Sequence, residues 1–385
     1  MKIQVDRDVL ADAVAWTARA LPARPTIPVL AGMRLQAGAE LTLSSFDYDV
    51  SAQATVPVTI EEEGSALVSG RLLAEISRSL PARPVQITSE GGKAVLSCGS
   101  ATFTLLTMPE EEYPALPDMP QAAGSVGSDA FASAVSQSAT AAGRDDTLPA
   151  LTGIRIEIEG ETLTLISTDR YRLAVRELRW TPARPDLSAA VLVPARALAE
   201  TARSLTSGAE VSIALALPGE GGPDASGLAA GGDGMIGFEG GGRRTTTRLL
   251  GGEFPRYQAL LPNHVSSAAE LPTAPLTEAV KRVALVAERN TAVRLAFTTG
   301  QLVLEAGTGE EAQAVEVLEA SYDGDEPLSI AFNPQYLLDG LSAIDSDTAR
   351  MSFTEPGKPA LITGKPAPDG QPDYRYLLMP IRLGG

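Results

Sequence analysis

Apolar residues along the chain follow two periods, one typical of helices and one typical of strands. The segment DVLADAVAWTARAL, with Asp6 or Asp8 as its N-cap, places one apolar stripe on a single helical face: Val9, Leu10, Ala13 and Val14. The segment RLLAEISRSL spaces apolar residues at i, i+4 and i+8, beside Leu73: Leu72, Ile76 and Leu80. Between the helices, ELTLSSF, LTLISTD and QLVLEA alternate apolar and polar residues as hairpin strands do. The pattern predicts an α+β fold.

The same motifs recur in a fixed order, so the chain contains an internal repeat. PVLAGMRL from Pro28 resembles PALTGIRI from Pro149, and LTLSSFDYDVSA matches LTLISTDRYRLA. VSGRLLAEISRSL matches VPARALAETARSL, FTLLTMPEEEYPALP matches TRLLGGEFPRYQALLP, and FNPQYLLDGLSAI begins a third copy of the second helix. The first two copies are offset by about 120 residues, a usual domain size. The chain is therefore predicted to be a triplicated α+β unit.

Stretches rich in Pro, Gly and Ser divide the chain into these units. They lie at residues 117–127 and 262–275. The predicted domains are accordingly residues 1–121, 125–263 and 268–385. A further stretch rich in Gly and Pro, residues 218–234, is predicted to be a flexible hairpin tip inserted in the middle unit.

Charge and composition narrow the class of protein. The formal net charge of −17 argues, on its face, against nucleic acid and anionic membranes as partners. The single cysteine, Cys98, excludes an internal disulfide and fits a reducing cytoplasm. No apolar run is long enough to span a bilayer, and MKIQVDRDVL has no signal core. We expect a cytoplasmic protein without a membrane partner.

Residue types that carry catalysis are mostly absent. The one histidine, His264, lies in a predicted linker, and no His and Cys spacing suits zinc. GFEGGGRRTTTR lacks the ending of a phosphate-binding loop and runs into a strand pattern, so it is predicted to be a turn. The acids at 110–112 are more simply a solvated loop. The sequence predicts no enzyme, no cofactor and no metal, and a hydrolase that uses clustered acids is the alternative.

Basic side chains repeat on equivalent helices. Arg71 and Arg78 lie two helical turns apart on one face, and Arg196 and Arg203 repeat this spacing in the second unit. Such helices could present basic rows while the rest of the protein stays acidic. The alternative is an ordinary solvated helix face, because glutamates share both helices. Equivalent arginines in two repeats favour a common functional surface.

These motifs together resemble the bacterial DNA polymerase III beta subunit, the sliding clamp family, from end to end. The likeness rests on the triplication, PVLAGMRL, LTLISTDRYRLAVREL, FPRYQALLP and YLLMPIRL, while AGRDDTLPALTG and VKRVALVAERN are similar to actinobacterial members. The resemblance implies a DNA clamp fold and a head-to-tail homodimer. Six similar domains would close a ring, with antiparallel sheets outside and helices lining a hole for duplex DNA.

The resemblance also implies a function that the charge does not exclude. A ring holds DNA by topology, so weak phosphate contacts that read no bases are enough. Such a processivity factor encircles double-stranded DNA and tethers DNA polymerase and repair proteins, which insert short linear motifs into a hydrophobic pocket. A separate ATP-driven clamp loader would place it on DNA.

The resemblance implies three candidate sites. Matching the family's motifs position by position, the expected client-peptide pocket comprises Leu151, Thr168, Arg170, Tyr171, Arg172, Leu173, Pro255, Ala259, Leu260, Leu377, Met379, Pro380, Ile381, Arg382 and Leu383. In it, Arg172 and Arg382 would hold polar groups of the peptide. The expected DNA-facing residues are Arg24, Arg71, Arg78, Arg196, Arg203, Lys281 and Arg282. The expected dimer contacts are Phe103, Leu105, Leu285 and Val286.

The chain departs from the family pattern at the pocket. Many relatives carry Gly-His where this chain has Arg170 and Tyr171, and some carry a basic residue at the position of Ala259. Two alternatives to a general replicative clamp follow. One is a specialised second copy with an altered pocket that resists an inhibitor, and the other is a peptide-binding scaffold that does not bind DNA.

Overall fold

The computed structural model describes residues 1–206, 208–216, 234–287, 292–307, 312–355, 357–365 and 372–382. Residues 217–233, which include nearly all of the predicted Gly-rich insertion 218–234, lie outside this described part. The α-helices within it are α1 (Arg7–Thr17), α2 (Gly70–Ser79), α3 (Ser128–Ala139), α4 (Ala195–Ser204), α5 (Thr273–Ala284) and α6 (Pro334–Ser342).

The strands alternate with these helices in the predicted order. In the first third they are β1 (Lys2–Val5), β2 (Gly32–Ala37), β3 (Leu41–Phe46), β4 (Val50–Val56), β5 (Thr59–Glu62), β6 (Gly64–Ser69), β7 (Val85–Glu90), β8 (Lys93–Cys98) and β9 (Ala101–Leu106). In the middle third they are β10 (Ala122–Gly127), β11 (Gly153–Glu159), β12 (Thr162–Thr168), β13 (Arg172–Arg179), β14 (Thr181–Pro182), β15 (Ser188–Pro194), β16 (Glu210–Leu215), β17 (Met235–Gly240) and β18 (Arg243–Arg248). In the last third they are β19 (Ser267–Pro272), β20 (Val293–Thr298), β21 (Gln301–Ala306), β22 (Ala314–Glu319), β23 (Ser321–Tyr322), β24 (Leu328–Phe332), β25 (Thr348–Phe353), β26 (Ala360–Gly364) and β27 (Tyr374–Leu378).

The chain forms two compact units. Unit 1 comprises Met1–Ala132, Trp180–Leu187 and Glu200–Leu249, and unit 2 comprises Ser133–Arg179, Ser188–Ala199 and Leu250–Gly385. This division cuts the middle repeat because strands of neighbouring repeats pair, β4 with β18 in unit 1 and β13 with β27 in unit 2. The domain bounds 1–121, 125–263 and 268–385 stay a prediction.

Each unit contains one long and one short antiparallel sheet. In unit 1 the strand orders are β14-β10-β16-β17-β18-β4-β3-β2-β6 and β5-β1-β7-β8-β9. In unit 2 they are β15-β11-β12-β13-β27-β26-β25-β19-β23 and β22-β21-β20-β24. Strands β9 and β22 therefore each form an edge of a short sheet. The predicted turn in GFEGGGRRTTTR is the β17–β18 hairpin, where Gly241 and Gly242 adopt positive φ angles of 59° and 74°.

The helices confirm the periodicity, with one correction in each of the first two. Asp6 caps α1, since its side chain accepts hydrogen bonds from the backbone N–H groups of Asp8 and Val9. Val9, however, lies at the edge of the apolar stripe and is exposed. In α2, Leu72 was expected inside but is 45% exposed, whereas Leu73 is fully buried. The buried stripe of α2 is centred on Leu73 and Ile76, so Leu72 points away from it.

The first two repeats share a tight turn that bears directly on the candidate site. Asp47 Oδ1 accepts hydrogen bonds from the N–H groups two and three residues ahead, and Asp169 Oδ1 does the same in the second repeat. The residue after each aspartate adopts the left-handed backbone, with φ of 74° at Tyr48 and 77° at Arg170. An aspartate side chain that replaces backbone partners makes such turns possible.

A carboxylate in unit 2 should make stability depend on pH. Glu270 on β19 accepts hydrogen bonds from Lys365 Nζ at 2.7 Å and Arg350 Nη1 at 2.8 Å. The bond from Lys365, and then that from Arg350, hold the pKa of Glu270 below its usual value of 4.5 although partial burial opposes this. A lowered folded-state pKa stabilises the protein above pH of about 4.5, and this stabilisation is lost as the pH falls through the lowered pKa.

We therefore expect Glu270→Gln to lower the free energy of unfolding at pH 7 by at most about 1 kcal/mol, because Lys365 is largely in water. The difference from wild type should vanish as the pH falls through the acidic range, which urea unfolding at several pH values measures. Glu326→Gln, at an exposed position, is the matched control and should change little. A constant deficit of Glu270→Gln at every pH would contradict the account.

Candidate functional site

A cavity of about 850 Å³ lies within unit 2, where three segments meet. These are the loop that follows α3, the turn that begins at Asp169, and the first turns of α6. The lining residues are Ala142, Gly143, Arg144, Asp145, Leu148, Leu151, Asp169, Arg170, Tyr171, Arg172, Gln335, Tyr336 and Asp339. Apolar and charged side chains thus share one concave surface of the size that takes small ligands or peptide side chains.

Four predicted pocket residues line this cavity: Leu151, Arg170, Tyr171 and Arg172. Three of them belong to the Asp169 turn, and Thr168 stabilises this turn by hydrogen bonds. Thr168 Oγ1 donates to the Arg172 carbonyl at 2.7 Å and accepts from the Arg170 N–H at 3.2 Å. The Tyr171 side chain is exposed, and its ring centroid lies 6.3 Å from that of Tyr336.

Arg172 has a structural role that the sequence did not predict. Its side chain is only 6% exposed, and it forms ion pairs with Asp169 at 2.9 Å and Asp339 at 2.5 Å. The guanidinium also lies over the ring of Tyr336, 4.3 Å from the centroid, and donates to the Tyr376 hydroxyl at 3.4 Å. Its Nε and Nη1 donors therefore tie the turn to α6, and a contact between Arg172 and polar groups of a peptide stays a prediction.

The C-terminal apolar segment is mainly an interior strand. Strand β27 pairs with β13 on one side and β26 on the other, and Leu377 and Leu378 are buried on opposite faces of this sheet. After Leu378, at the end of β27, the chain reaches the protein surface. The Met379 N–H donates to the Tyr171 carbonyl at 2.9 Å, while the Met379 side chain is 43% exposed beside the turn. Ile381 and Arg382 are also exposed, Pro380 is half-buried, and Leu383 lies outside the described residues.

Two further predicted pocket residues, Leu173 and Leu377, belong to a separate apolar cluster. Leu173 and Leu377 pack in it with Phe254 and Tyr257, which the sequence prediction omitted. Tyr257 donates from its hydroxyl to Glu157 Oε2 at 2.8 Å, and burial followed by this hydrogen bond raises the pKa of Tyr257. Nearby in sequence, Leu260 and Ala259 are exposed and Pro255 is half-buried. The segment therefore combines exposed apolar residues with the buried side chains of Phe254 and Tyr257.

Sequence reasoning missed the residues that other segments bring to the cavity. Arg144 and Asp145 belong to AGRDDTLPALTG, a segment from which only the resemblance to actinobacterial clamps was inferred. Gln335, Tyr336 and Asp339 belong to FNPQYLLDGLSAI, which was predicted only to be a third copy of the second helix. One signal was present, because Gln335 and Asp339 stand at i and i+4 and their side chains hydrogen-bond at 2.8 Å. That spacing marks a polar helix face.

The predicted DNA-facing residues are all exposed, and several of them make contacts within the chain. Arg71 donates to the carbonyls of Pro22 and Ala23, and Arg78 Nε donates to the Ala74 carbonyl at 3.2 Å. Arg24, Arg196 and Arg203 are exposed as well. Lys281 pairs with Glu278 at 2.8 Å on its own helix. Arg282 pairs with Glu316 of the edge strand β22 at 2.5 Å. The two basic residues of α5 are thus partly neutralised, and all seven stay predictions as DNA contacts.

The predicted dimer contacts lie at or near the two sheet edges. On β9, Leu105 is buried in its own unit and Phe103 is half-buried, while Leu106, which was not predicted, is 74% exposed. After α5, Leu285 is exposed and Val286 is half-buried. On β22, Val315 and Val317 are exposed, and Val317 is 56% exposed. An open sheet edge with apolar side chains readily pairs with a strand of another chain, so proteins usually protect such edges. These two unprotected edges are therefore candidate interfaces.

The part of the chain that the structure describes contains neither a cluster of metal ligands nor a membrane-spanning helix. There, no group of three His, Cys, Asp or Glu side chains is arranged to hold a metal ion. Among the helices of that part, none is both long and apolar enough to cross a membrane. His264 is exposed and lies in the segment that precedes β19.

Comparison with known proteins gives a consistent result along the whole chain. Three family models match in order, described as the N-terminal, central and C-terminal domains of the DNA polymerase III beta subunit, over residues 1–117, 125–256 and 258–382. A beta sliding clamp of Streptomyces coelicolor is 61% identical over 388 residues, and the match covers all of both chains. A beta sliding clamp homolog, GriR, of Streptomyces muensis is 44% identical, again over all of both chains.

Solved structures agree with the fold. The DNA polymerase sliding clamp of Bacillus subtilis superposes with a TM-score of 0.88 at 27% identity, and each chain is fully covered. A sliding clamp of Pseudomonas aeruginosa, solved bound to griselimycin, superposes with a TM-score of 0.87 at 28% identity, with the same full coverage.

Proposed function

Because the chain belongs to the DNA polymerase III beta subunit family, we propose that it acts as a DNA sliding clamp. Two copies close a ring around duplex DNA, and the ring tethers the replicative polymerase and repair proteins to their template. The observation that carries the proposal is the ordered match of all three family domains over nearly the whole chain. Tethering makes rebinding of the polymerase intramolecular and so raises its occupancy.

The ring closes head to tail through the two exposed edges. Strand β9 of one copy pairs with β22 of the other, so that each copy offers both edges once. Leu106 on one edge and Val315 and Val317 on the other supply apolar surface that is exposed in a single chain. Phe103, Leu285 and Val286 flank the same edges. This arrangement gives two identical interfaces and leaves neither edge open.

Topology, not affinity, holds the DNA. The net charge of −17 repels a polyanion from most of the surface. The exposed basic residues on α2 and α4, and Arg24, supply weak phosphate contacts. Weak contacts limit friction during sliding, since each additional ionic contact strengthens binding and its dependence on salt. No step of this function requires catalysis.

Client proteins bind through short peptides at the cavity of unit 2 and the apolar surface beside it. Leu151, Tyr171, Leu260, Met379 and Ile381 offer partly exposed apolar groups for Leu or Phe side chains of a peptide. Met379 adapts to different partners because its side chain is unbranched and polarisable. Arg382 is exposed at the end of the described tail and can hold polar groups of the peptide.

Met379→Ala tests this pocket. We expect it to weaken binding of a synthetic peptide with Leu and Phe anchors about tenfold, because truncation removes about 1.5 kcal/mol of apolar contact. Fluorescence anisotropy with a labelled peptide measures the affinity. Ile27→Ala, at an exposed apolar position in unit 1, is the control and should bind as wild type does. Equal affinity of both variants would remove Met379 from the pocket.

Two features of the wider function follow from the ring. A closed ring cannot thread onto circular DNA, so a separate ATP-driven clamp loader opens it, and the protein works in the cytoplasm where DNA is replicated.

Identity of 61% to a beta sliding clamp, against 44% to GriR, favours the general replicative clamp over a specialised copy with an altered pocket. A peptide scaffold without DNA is the remaining alternative, which retention on circular DNA distinguishes.

A further inference from the structure

Two guanidinium groups at the cavity of unit 2 have no ion-pair partner among the residues that the structure describes. Arg144 and Arg170 both line the cavity, and both are exposed. Among the residues that the structure describes, neither side chain forms a hydrogen bond or an ion pair. The third arginine of the cavity differs, since Arg172 is buried and paired with Asp169 and Asp339.

The acids of the cavity are already satisfied. Asp169 and Asp339 share Arg172, and Asp339 also accepts from Gln335. Asp145 accepts from the Thr147 N–H at 3.0 Å and hydroxyl at 2.7 Å. These two bonds, and more weakly the charge of Arg170, hold the pKa of Asp145 below its usual range. Among the cationic side chains that line the cavity in the described part of the chain, Arg144 and Arg170 therefore keep their donors available for a ligand.

The backbone at Arg170 adds a second observation. Its φ of 77° is the left-handed region, which favours glycine and disfavours a residue with a side chain. This strained position carries a long cationic side chain, and Arg170 is one of the residues that line the cavity. Such outliers cluster at binding sites, and the observed strain is a reason to look for a function.

We propose that Arg144 and Arg170 receive a carboxylate of the bound client peptide, so that this clamp prefers peptides with an acidic residue beside their apolar anchors. Guanidinium groups suit a carboxylate because their donors match its geometry. Leu148, Leu151 and Tyr171 in the same cavity take the neighbouring apolar groups. The inference rests on the proposed peptide pocket and adds its charge selectivity.

The charge of the cavity favours a peptide over a nucleic acid. Its lining carries three arginines and three aspartates, so the formal charge of the lining is balanced. A balanced surface offers little to a polyanion that carries a phosphate at every step. A single carboxylate next to apolar anchors instead meets the two free guanidinium groups and avoids the paired aspartates.

The test compares two synthetic peptides that share Leu and Phe anchors and differ in one adjacent residue, Glu or Gln. Fluorescence anisotropy is measured with the full-length protein at about 0.05 M and about 0.5 M salt, because screening weakens an exposed charge contact. We expect wild type to bind the Glu peptide about tenfold more tightly at low salt. The double variant Arg144→Gln with Arg170→Gly should bind both peptides equally.

Arg170→Gly alone separates binding from folding. It should reduce the preference for the Glu peptide while raising the midpoint of thermal unfolding, because glycine adopts the left-handed backbone without strain. Tyr48→Gly is the matched control. It changes the equivalent turn of unit 1, with the same left-handed backbone, and should keep the full preference.

Each other outcome overturns the inference in a distinguishable way. Equal binding of the two peptides to wild type would refute the charge preference and leave the apolar pocket standing. Failure of both peptides to bind would refute the proposed pocket as well. Variants that keep the peptide preference but lose retention on circular DNA would assign the two arginines to DNA.

Discussion

Replacing Val317 by glutamate is expected to convert the dimer into monomers at micromolar concentration. The side chain is 56% exposed in the single chain, so the fold should tolerate the change. In the proposed ring, the same position lies on β22 against β9 of the other copy. There the new carboxylate would be buried among apolar side chains and close to Glu316, whose only described partner is Arg282. A buried charge without a partner is strongly unfavourable.

The expected effect is large because the ring has two identical interfaces. If each carboxylate costs about 3 kcal/mol, both together cost about 6 kcal/mol, which weakens the dimer roughly 20,000-fold. Light scattering across a concentration series measures the oligomeric state, and circular dichroism checks that the monomer is folded. Retention on circular DNA should be lost in parallel.

Ile27→Glu is the control for this variant. Ile27 is an exposed apolar residue in unit 1 that belongs to neither β9 nor β22, so the same charge there should leave the dimer intact. If Val317→Glu remained dimeric at low concentration, β22 would not be an interface. A chain that is monomeric before any substitution would remove the ring itself.

The second large effect is expected from Arg172→Met. Arg172 is buried and links the Asp169 turn, α6 and the ring of Tyr336, while Tyr376 of β27 accepts a further bond. Methionine fills a similar length but leaves two carboxylates without their counter-charge. Removing one partner of a buried ion pair costs about 3–5 kcal/mol, and the lower end applies here because Asp339 keeps some exposure.

The measurement is urea unfolding followed by circular dichroism at pH 7. Arg179→Met is the matched control on the same strand, since the Arg179 side chain is 86% exposed and its ion pair with Glu161 is in water. That change should cost less than about 1 kcal/mol. Arg172→Lys should recover only part of the loss, because one ammonium cannot reach both carboxylates with the geometry of a guanidinium. Equal stability of the two methionine variants would contradict the structural role of Arg172.

The local elements were predictable because their signals are local. The period of two in ELTLSSF gave β3, and Asp6 before an apolar stripe gave the cap of α1. Leu72 was misplaced because Ile76 and Leu80 lie at i+4 and i+8 from Leu72 but also at i+3 and i+7 from Leu73, and only packing decides between the two leucines. Resemblance, not periodicity, brought Tyr171 and Met379 together, and the structure places them in contact through a backbone hydrogen bond.

Long-range pairing was not predictable from local pattern. The partners of Arg172 lie on the adjacent turn and on a helix 167 residues away, and no local pattern links Arg172 to Asp339. The same holds for Arg144, which reaches the cavity from a loop that carries no periodic signal. Pairing of β13 with β27 also explains why contacts divide the chain into two units although the sequence repeats three times.

In the proposed ring, topology holds the DNA. Retention of labelled protein on nicked circular DNA tests this after loading with a clamp loader and ATP, followed by a high-salt wash and then by linearisation of the same DNA. High salt abolishes ionic contacts with phosphates and leaves an intact ring in place. The protein should stay on the DNA through the wash and leave once the DNA is linear. Loss in high salt from circular and linear DNA alike would contradict the ring and leave only a peptide-binding scaffold.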